Sequence, residues 1–114
     1  DLYAITDSIA ASGMKDGSYK FADVKIEKKN NKVYLNGTNT LAGSVVNMHD
    51  TFLNLLKMKI SIQDAVRMTS YSAAKFLKKE DIGVIDDGKK ANLLILDNDF
   101  NIKNIFLNGK LING

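Results

Sequence analysis

Leu2-Tyr3-Ala4-Ile5 is a short unbroken apolar run that ends in Thr6-Asp7. Such a run predicts a strand buried on both faces, as in a parallel sheet, with Asp7 carried at its carboxyl end, where parallel α/β folds keep catalytic groups. Ser8 to Gly17 follows with small residues and two glycines, which suits a loop that approaches another group closely. The period then becomes two. Val24 and Ile26 alternate with Lys25 and Glu27, Val33 and Leu35 alternate with Lys32 and Tyr34, and Lys29-Asn30-Asn31 lies between them, so a two-stranded hairpin is expected. Asn36-Gly37 ends the second strand, and Thr38 to Ser44 is a polar connection.

From Val45 the spacing is helical, with Val45, Met48, Phe52, Leu55, Leu56 and Lys59 on one stripe and Ser44 as the expected N-cap. Ser61 is the expected cap of a second helix bearing Ile62, Ala65, Val66, Thr69, Ala73, Phe76 and Leu77, with an interruption at Ser70-Tyr71-Ser72. Gly83 and Asp86-Asp87-Gly88 separate the helices from an apolar strand, Leu93 to Leu96. Ile102 to Leu107, the turn Asn108-Gly109 and Leu111-Ile112 complete the order. This is a mixed α/β layout without internal repeat. Its first strand has no nearby partner in the sequence, which is the expectation for a piece of a larger protein.

At 114 residues, 45% hydrophobic and 25% charged, the composition is that of a globular domain. No apolar stretch reaches the length that spans a bilayer, and the N-terminus lacks a signal-peptide pattern, so no membrane role and a cytoplasmic location are expected. The absence of cysteine excludes disulfides and thiolate metal sites. The net charge of +3 comes from scattered lysines with a single arginine, Arg67. The densest group, Lys25, Lys28, Lys29 and Lys32, surrounds the hairpin turn. It reads as a solvated face, since nucleic-acid binders cluster arginine and interleave aromatics, and no nucleic-acid partner is expected.

Three features bear on chemistry. A carboxylate at a strand end serves as general base, as metal ligand, or simply as the cap of a turn, and spacing alone leaves these roles of Asp7 open. His49 is the only histidine and sits mid-helix, so it makes no metal site by itself. Thr40-Leu41-Ala42-Gly43-Ser44 places small residues ahead of a helix, where backbone N–H groups can meet a ligand or the helix can simply be capped. Phosphate-loop, H-x-H, H-E-x-x-H and G-x-S-x-G patterns do not occur.

Ala4-Ile5-Thr6-Asp7-Ser8 with Ala11 and Gly13-Met14, then Thr40-Leu41-Ala42-Gly43-Ser44, resemble the N-acetylglucosamine-6-phosphate deacetylase branch of the amidohydrolase superfamily. The closing block, Ile82-Gly83-Val84-Ile85, Gly88-Lys89-Lys90-Ala91-Asn92-Leu93 and Asn108-Gly109-Lys110, resembles the superfamily's return to its small β domain. The resemblance implies that residues 1–80 hold the last strand of a (β/α)8 barrel, a hairpin insertion and outer helices, and that 81–114 hold strands of a small β-sandwich domain. It implies that Asp7 is the catalytic acid/base, taking a proton from metal-bound water and passing one to the departing amine. Leu41, Ala42 and Gly43 match the segment that contacts the sugar, mostly through backbone.

The implied cofactor is a divalent metal ion, zinc or iron, bound mainly by residues outside this chain, with Asp7 a candidate ligand. The implied partners are a sugar-phosphate substrate, the remainder of the same enzyme and a second copy in a homodimer. Ser8 stands where alanine is commoner, and Asn92 where aspartate is frequent. The chain alone is expected to be inactive. The competing expectation is a noncatalytic α/β binding or assembly module, and a third is a lysine-rich RNA-binding hairpin.

Overall fold

Asn30 and Asn31 both take left-handed backbone, φ 50 and 56, the conformation a two-residue hairpin turn needs and asparagine tolerates. A computed structural model describes residues 2–112. The chain divides into two compact units, one spanning Ile5–Asn54 and the other taking in the residues before Ile5 and those from Leu55 onward.

In the first unit the hairpin forms as the alternation predicts, from β2 (Val24–Lys29) and β3 (Lys32–Leu35), with Lys29 opposite Lys32 and Ile26 opposite Leu35. A further strand, β1 (Gly17–Phe21), pairs antiparallel with β2 and sets Tyr19 opposite Ile26. Its signal in the sequence is the alternation of Tyr19 and Phe21 with Ser18 and Lys20, a strand beyond the two-stranded hairpin expected there. Ile26, Val33 and Ala11 form the core, with Ile9, Tyr19, Leu35, Ala42 and Val45 packed around them. That core seats the loop after Asp7 on the inward face of the sheet.

The first helix, α1 (Met48–Lys57), starts three residues later than the apolar stripe predicts, and Ser44 is not its cap. Asn47 holds that place. Its Oδ1 accepts from the Asp50 amide at 2.8 Å, and Asp50 Oδ2 accepts from the Asn47 amide at 3.1 Å, a reciprocal capping pair. Val45 joins the stripe in the sequence because it is apolar and three residues before Met48, but it packs on the hairpin core from extended backbone.

In the other unit, Ser61 caps α2 (Ile62–Val66) as expected, its Oγ accepting from the Asp64 amide at 3.1 Å. A π-helical turn, Arg67–Tyr71, joins α2 to α3 (Ser72–Phe76). The interruption thus falls slightly earlier than Ser70-Tyr71-Ser72, and the helix widens there instead of breaking. Replacing Ser61 with Ala removes the cap and is expected to lower stability by about 1 kcal/mol. A thermal unfolding midpoint unchanged from wild type would contradict that role.

A second antiparallel sheet follows, in the order β4 (Leu93–Leu96), β5 (Ile102–Leu107), β6 (Lys110–Leu111). Asn108 and Gly109, φ 49 and 77, make the tight turn between β5 and β6. The turn is held from outside: Asn92 Oδ1 accepts from the Asn108 amide at 2.8 Å, and the Ala91 carbonyl accepts from the Gly109 amide at 2.9 Å. A carboxylate oxygen accepts the same bond, so asparagine and aspartate are interchangeable as acceptors at this position. Leu94 and Ile95 point to opposite faces of β4 and are 53% and 48% exposed, so this sheet is apolar on both sides.

One expectation is corrected. Leu2–Ile5 is not a buried strand: it pairs in no ladder among the described residues, and Leu2 and Ile5 are each 70% exposed. Extended backbone becomes a strand only beside another strand, and here the segment's one backbone anchor is the Ala4 amide donating to the Met68 carbonyl at 2.8 Å.

Candidate active site

Asp7 has φ 50, a left-handed conformation that aspartate tolerates better than most residues. Immediately after it, Ser8 forms a parallel bridge with Ser44. The Asp7 carbonyl accepts from the Ser44 amide, and the Ser44 carbonyl from the Ile9 amide, both at 3.0 Å. Ser8 Oγ donates to the Val46 carbonyl, and Ser12 Oγ to the Val45 carbonyl at 3.0 Å. The loop after Asp7 is therefore stitched to the stretch from Ser44 to Val46.

The other side of that stretch is tied to the hairpin. Leu41 bridges Tyr34 antiparallel, with the Ala42 amide on the Val33 carbonyl at 3.0 Å and the Leu35 amide on the Thr40 carbonyl at 2.9 Å. Gly43 is the pivot between the two pairings. Its φ is +81, and a Cβ there would lie 2.8 Å from Ile9 Cγ2, 3.4 Å from the Asp7 carbonyl oxygen and 3.7 Å from Asp7 Oδ2. Glycine is needed here for its φ and to clear Ile9, and it leaves this backbone within ordinary contact range of the Asp7 carboxylate.

Asp7, Leu41, Ala42 and Gly43 are thus brought together within one compact unit. The Ala42 and Ser44 amides are committed to the Val33 and Asp7 carbonyls, and among the described residues those of Leu41 and Gly43 are uncommitted. The Leu41 side chain is 61% exposed. The arrangement offers an exposed carboxylate next to Gly43, on a segment with two uncommitted backbone donors, which suits proton transfer next to a polar, hydrogen-bond-accepting ligand. The expected helix N-terminus at Ser44 is not what supplies those donors. Ser44 Oγ accepts from the Val46 amide at 3.1 Å in a local turn, and the segment is extended.

His49 stacks on Phe52 with ring centroids 6.3 Å apart, a packing contact along α1. Among the described residues no three His, Cys, Asp or Glu side chains gather where they could hold a metal ion. The carboxyls with lowered pKa are Asp81 and Asp97, both in the unit from Leu55 onward. The Lys90 side chain, 2.7 Å away, depresses Asp81, and hydrogen bonds from the Asn101 side chain and then its amide depress Asp97. These are exposed structural contacts of turns.

Residues 5–112 match the model of the amidohydrolase family. The chain belongs to the amidohydrolase family. Within it, the chain is 34% identical to N-acetylglucosamine-6-phosphate deacetylase of Caenorhabditis elegans over 113 residues, 97% of this chain and 27% of that protein. The crystal structure of the N-acetylglucosamine-6-phosphate deacetylase from Pasteurella multocida superposes with a TM-score of 0.90 at 30% identity, covering 99% of this chain and 30% of that one. A Mycobacterium smegmatis N-acetyl-D-glucosamine-6-phosphate deacetylase, solved as an Asp→Ala mutant in complex with N-acetyl-D-glucosamine-6-phosphate, gives 0.85 at 30% identity over 96% of this chain and 30% of that one. The chain therefore spans between a quarter and a third of the length of these amidohydrolases.

Proposed function

We propose that these residues form the C-terminal part of a metal-dependent deacetylase that converts N-acetylglucosamine 6-phosphate to glucosamine 6-phosphate and acetate. The observation that carries the reading is the joining of Asp7 to the Leu41–Gly43 segment across the glycine pivot, in a chain that shares 34% of its residues with a deacetylase of that name. In this reading Asp7 is the acid/base. Its carboxylate takes a proton from the water that attacks the acetyl carbonyl carbon, and gives a proton to the sugar nitrogen as the C–N bond breaks. Gly43, Leu41 and Ala42 line the sugar, with the Leu41 and Gly43 amides as donors to its oxygens.

A divalent metal ion, zinc or iron, polarises the carbonyl in such chemistry. The described residues do not fit it alone, because Asp7 has no companion ligands among them. The ligand set therefore belongs to the rest of the polypeptide. The same holds for the fold: in the complete polypeptide Leu2–Asp7, unpaired among the described residues, would become the last strand of a (β/α)8 barrel, with residues 1–80 holding that strand, the hairpin insertion and outer helices, and 81–114 holding strands of a small β-sandwich. The apolar residues exposed on both faces of β4 support that cover. A cytoplasmic homodimer completes the proposal. No helix among the described residues is long and apolar enough to cross a membrane.

The complete polypeptide, supplied with zinc or iron, is expected to release acetate from N-acetylglucosamine 6-phosphate. The 114-residue chain by itself is expected to release none. Failure of the complete protein on this substrate overturns the reading, and turnover by the isolated chain overturns the placement of the metal ligands elsewhere.

A further inference from the structure

Lys28 is a largely buried side chain in a place where the sequence pattern suggests a solvated one. Strand parity puts it on the same inward face of β2 as Ile26, and it is only 7% exposed. Among the described residues no carboxylate lies within ion-pair distance of it. Its Nζ instead donates to the Met14 carbonyl at 2.5 Å. Burying an ammonium against an apolar core is costly, and an apolar side chain of similar volume would pack there at lower cost. The cost is offset by what the bond holds.

Met14 lies in the loop that begins at Asp7. From Asp7 to Ser12 that loop is fixed by the Ser44, Val46 and Val45 contacts and by fully buried Ala11. Beyond Ser12 the backbone is freer, since Gly13 takes φ +74 with no atom within 4 Å of where a Cβ would sit. The sheet holds this stretch through side chains at three points, Lys28 on the Met14 carbonyl, Tyr19 Oη on the Lys15 carbonyl at 2.6 Å and Asp16 Oδ2 accepting from the Asn30 amide at 3.0 Å, before Gly17 enters the ladder opposite Lys28. The charge-assisted bond, from a residue only 7% exposed, is the stiffest of the three. Without it the Met14 carbonyl loses its side-chain donor, and the backbone between Ser12 and Lys15 loosens next to the half of the loop that carries Asp7.

We propose, on the basis of the deacetylase reading, that Lys28 is a positioning residue for the reaction: through the Met14 carbonyl it holds the Ser8–Gly17 loop and so keeps the Asp7 carboxylate beside Gly43. The role separates activity from stability. In the complete protein, Lys28→Met keeps the volume and removes the buried charge, so its thermal midpoint is expected to equal or exceed that of wild type. Its kcat is expected to fall about tenfold, with KM changed by less than about twofold, because Asp7 acts on the reacting atoms more than on binding. Lys28→Arg, which can donate to the same carbonyl, is expected to recover most of the loss.

Hydrogen exchange supplies a readout independent of turnover. Amides of residues 12–17 are expected to exchange about tenfold faster in Lys28→Met than in wild type. Unchanged exchange overturns the tie itself. Faster exchange with a wild-type kcat overturns the positioning role. A wild-type protein that does not deacetylate the substrate removes the deacetylase reading and the positioning role with it, and exchange then still decides whether Lys28 fixes the loop.

Discussion

Asp7→Asn in the complete protein is expected to lower kcat by about two to four orders of magnitude, the contribution of a positioned general base. The substitution is well matched to the site. Asparagine tolerates the left-handed backbone at φ 50 as aspartate does, and the bonds that hold this position run through the Asp7 carbonyl, which the change leaves intact. The thermal midpoint is therefore expected to stay close to wild type, as for an exposed polar exchange. Loss of turnover with an intact fold assigns the proton transfer to Asp7. Near-normal rates would leave Asp7 as a turn residue only, the other role its position in the sequence allows.

Gly43→Ala should act on structure and activity together. Alanine at φ +81 costs roughly 1–2 kcal/mol in backbone strain. Its methyl would lie 2.8 Å from Ile9 Cγ2, and Ile9 packs on the hairpin core and cannot yield freely. Overpacking of this kind typically adds about 1–3 kcal/mol. A total of roughly 3 kcal/mol is expected, visible as a lowered thermal midpoint. Relief of the clash moves either Ile9, two residues after Asp7, or the Gly43 backbone beside it, so kcat/KM is expected to fall by about a hundredfold even at temperatures where the variant is folded. A variant with wild-type stability would show that the close approach is not needed, and one with wild-type activity that the Asp7–Gly43 geometry does not serve the reaction.

What could be read from the sequence was local. The Asn30-Asn31 turn, the alternation around it, the Ser61 cap and the Asn108-Gly109 turn each depend on residues within a few positions, and each forms as the pattern predicts. The start of α1 was ambiguous because Ser44 and Asn47 are both good caps. Asp50, three residues after Asn47, carried the deciding signal. Leu2–Ile5 misled for the opposite reason, since an apolar run states what a segment would bury and not which strand will pair with it. Lys28 was hidden by reading charge before parity: counted by twos from Ile26 it faces inward.

The candidate site was legible as residues but not as geometry. Asp7 and Leu41 to Gly43 are more than thirty positions apart, and nothing in their spacing shows that a parallel bridge between Ser8 and Ser44 joins them. The position of Gly43 against Ile9 and its φ of +81 give a physical reason for glycine there, which the small-residue pattern alone left as either a ligand contact or a capped helix entry.

The most direct measurement follows the products. When the complete polypeptide is incubated with N-acetylglucosamine 6-phosphate and a divalent metal, the acetate methyl and glucosamine 6-phosphate signals in a proton NMR time course are expected to grow in equal amounts as the substrate's N-acetyl signal declines. An N-acetyl signal that persists across zinc and iron, from protein shown to be folded and to carry metal, would contradict the deacetylase assignment.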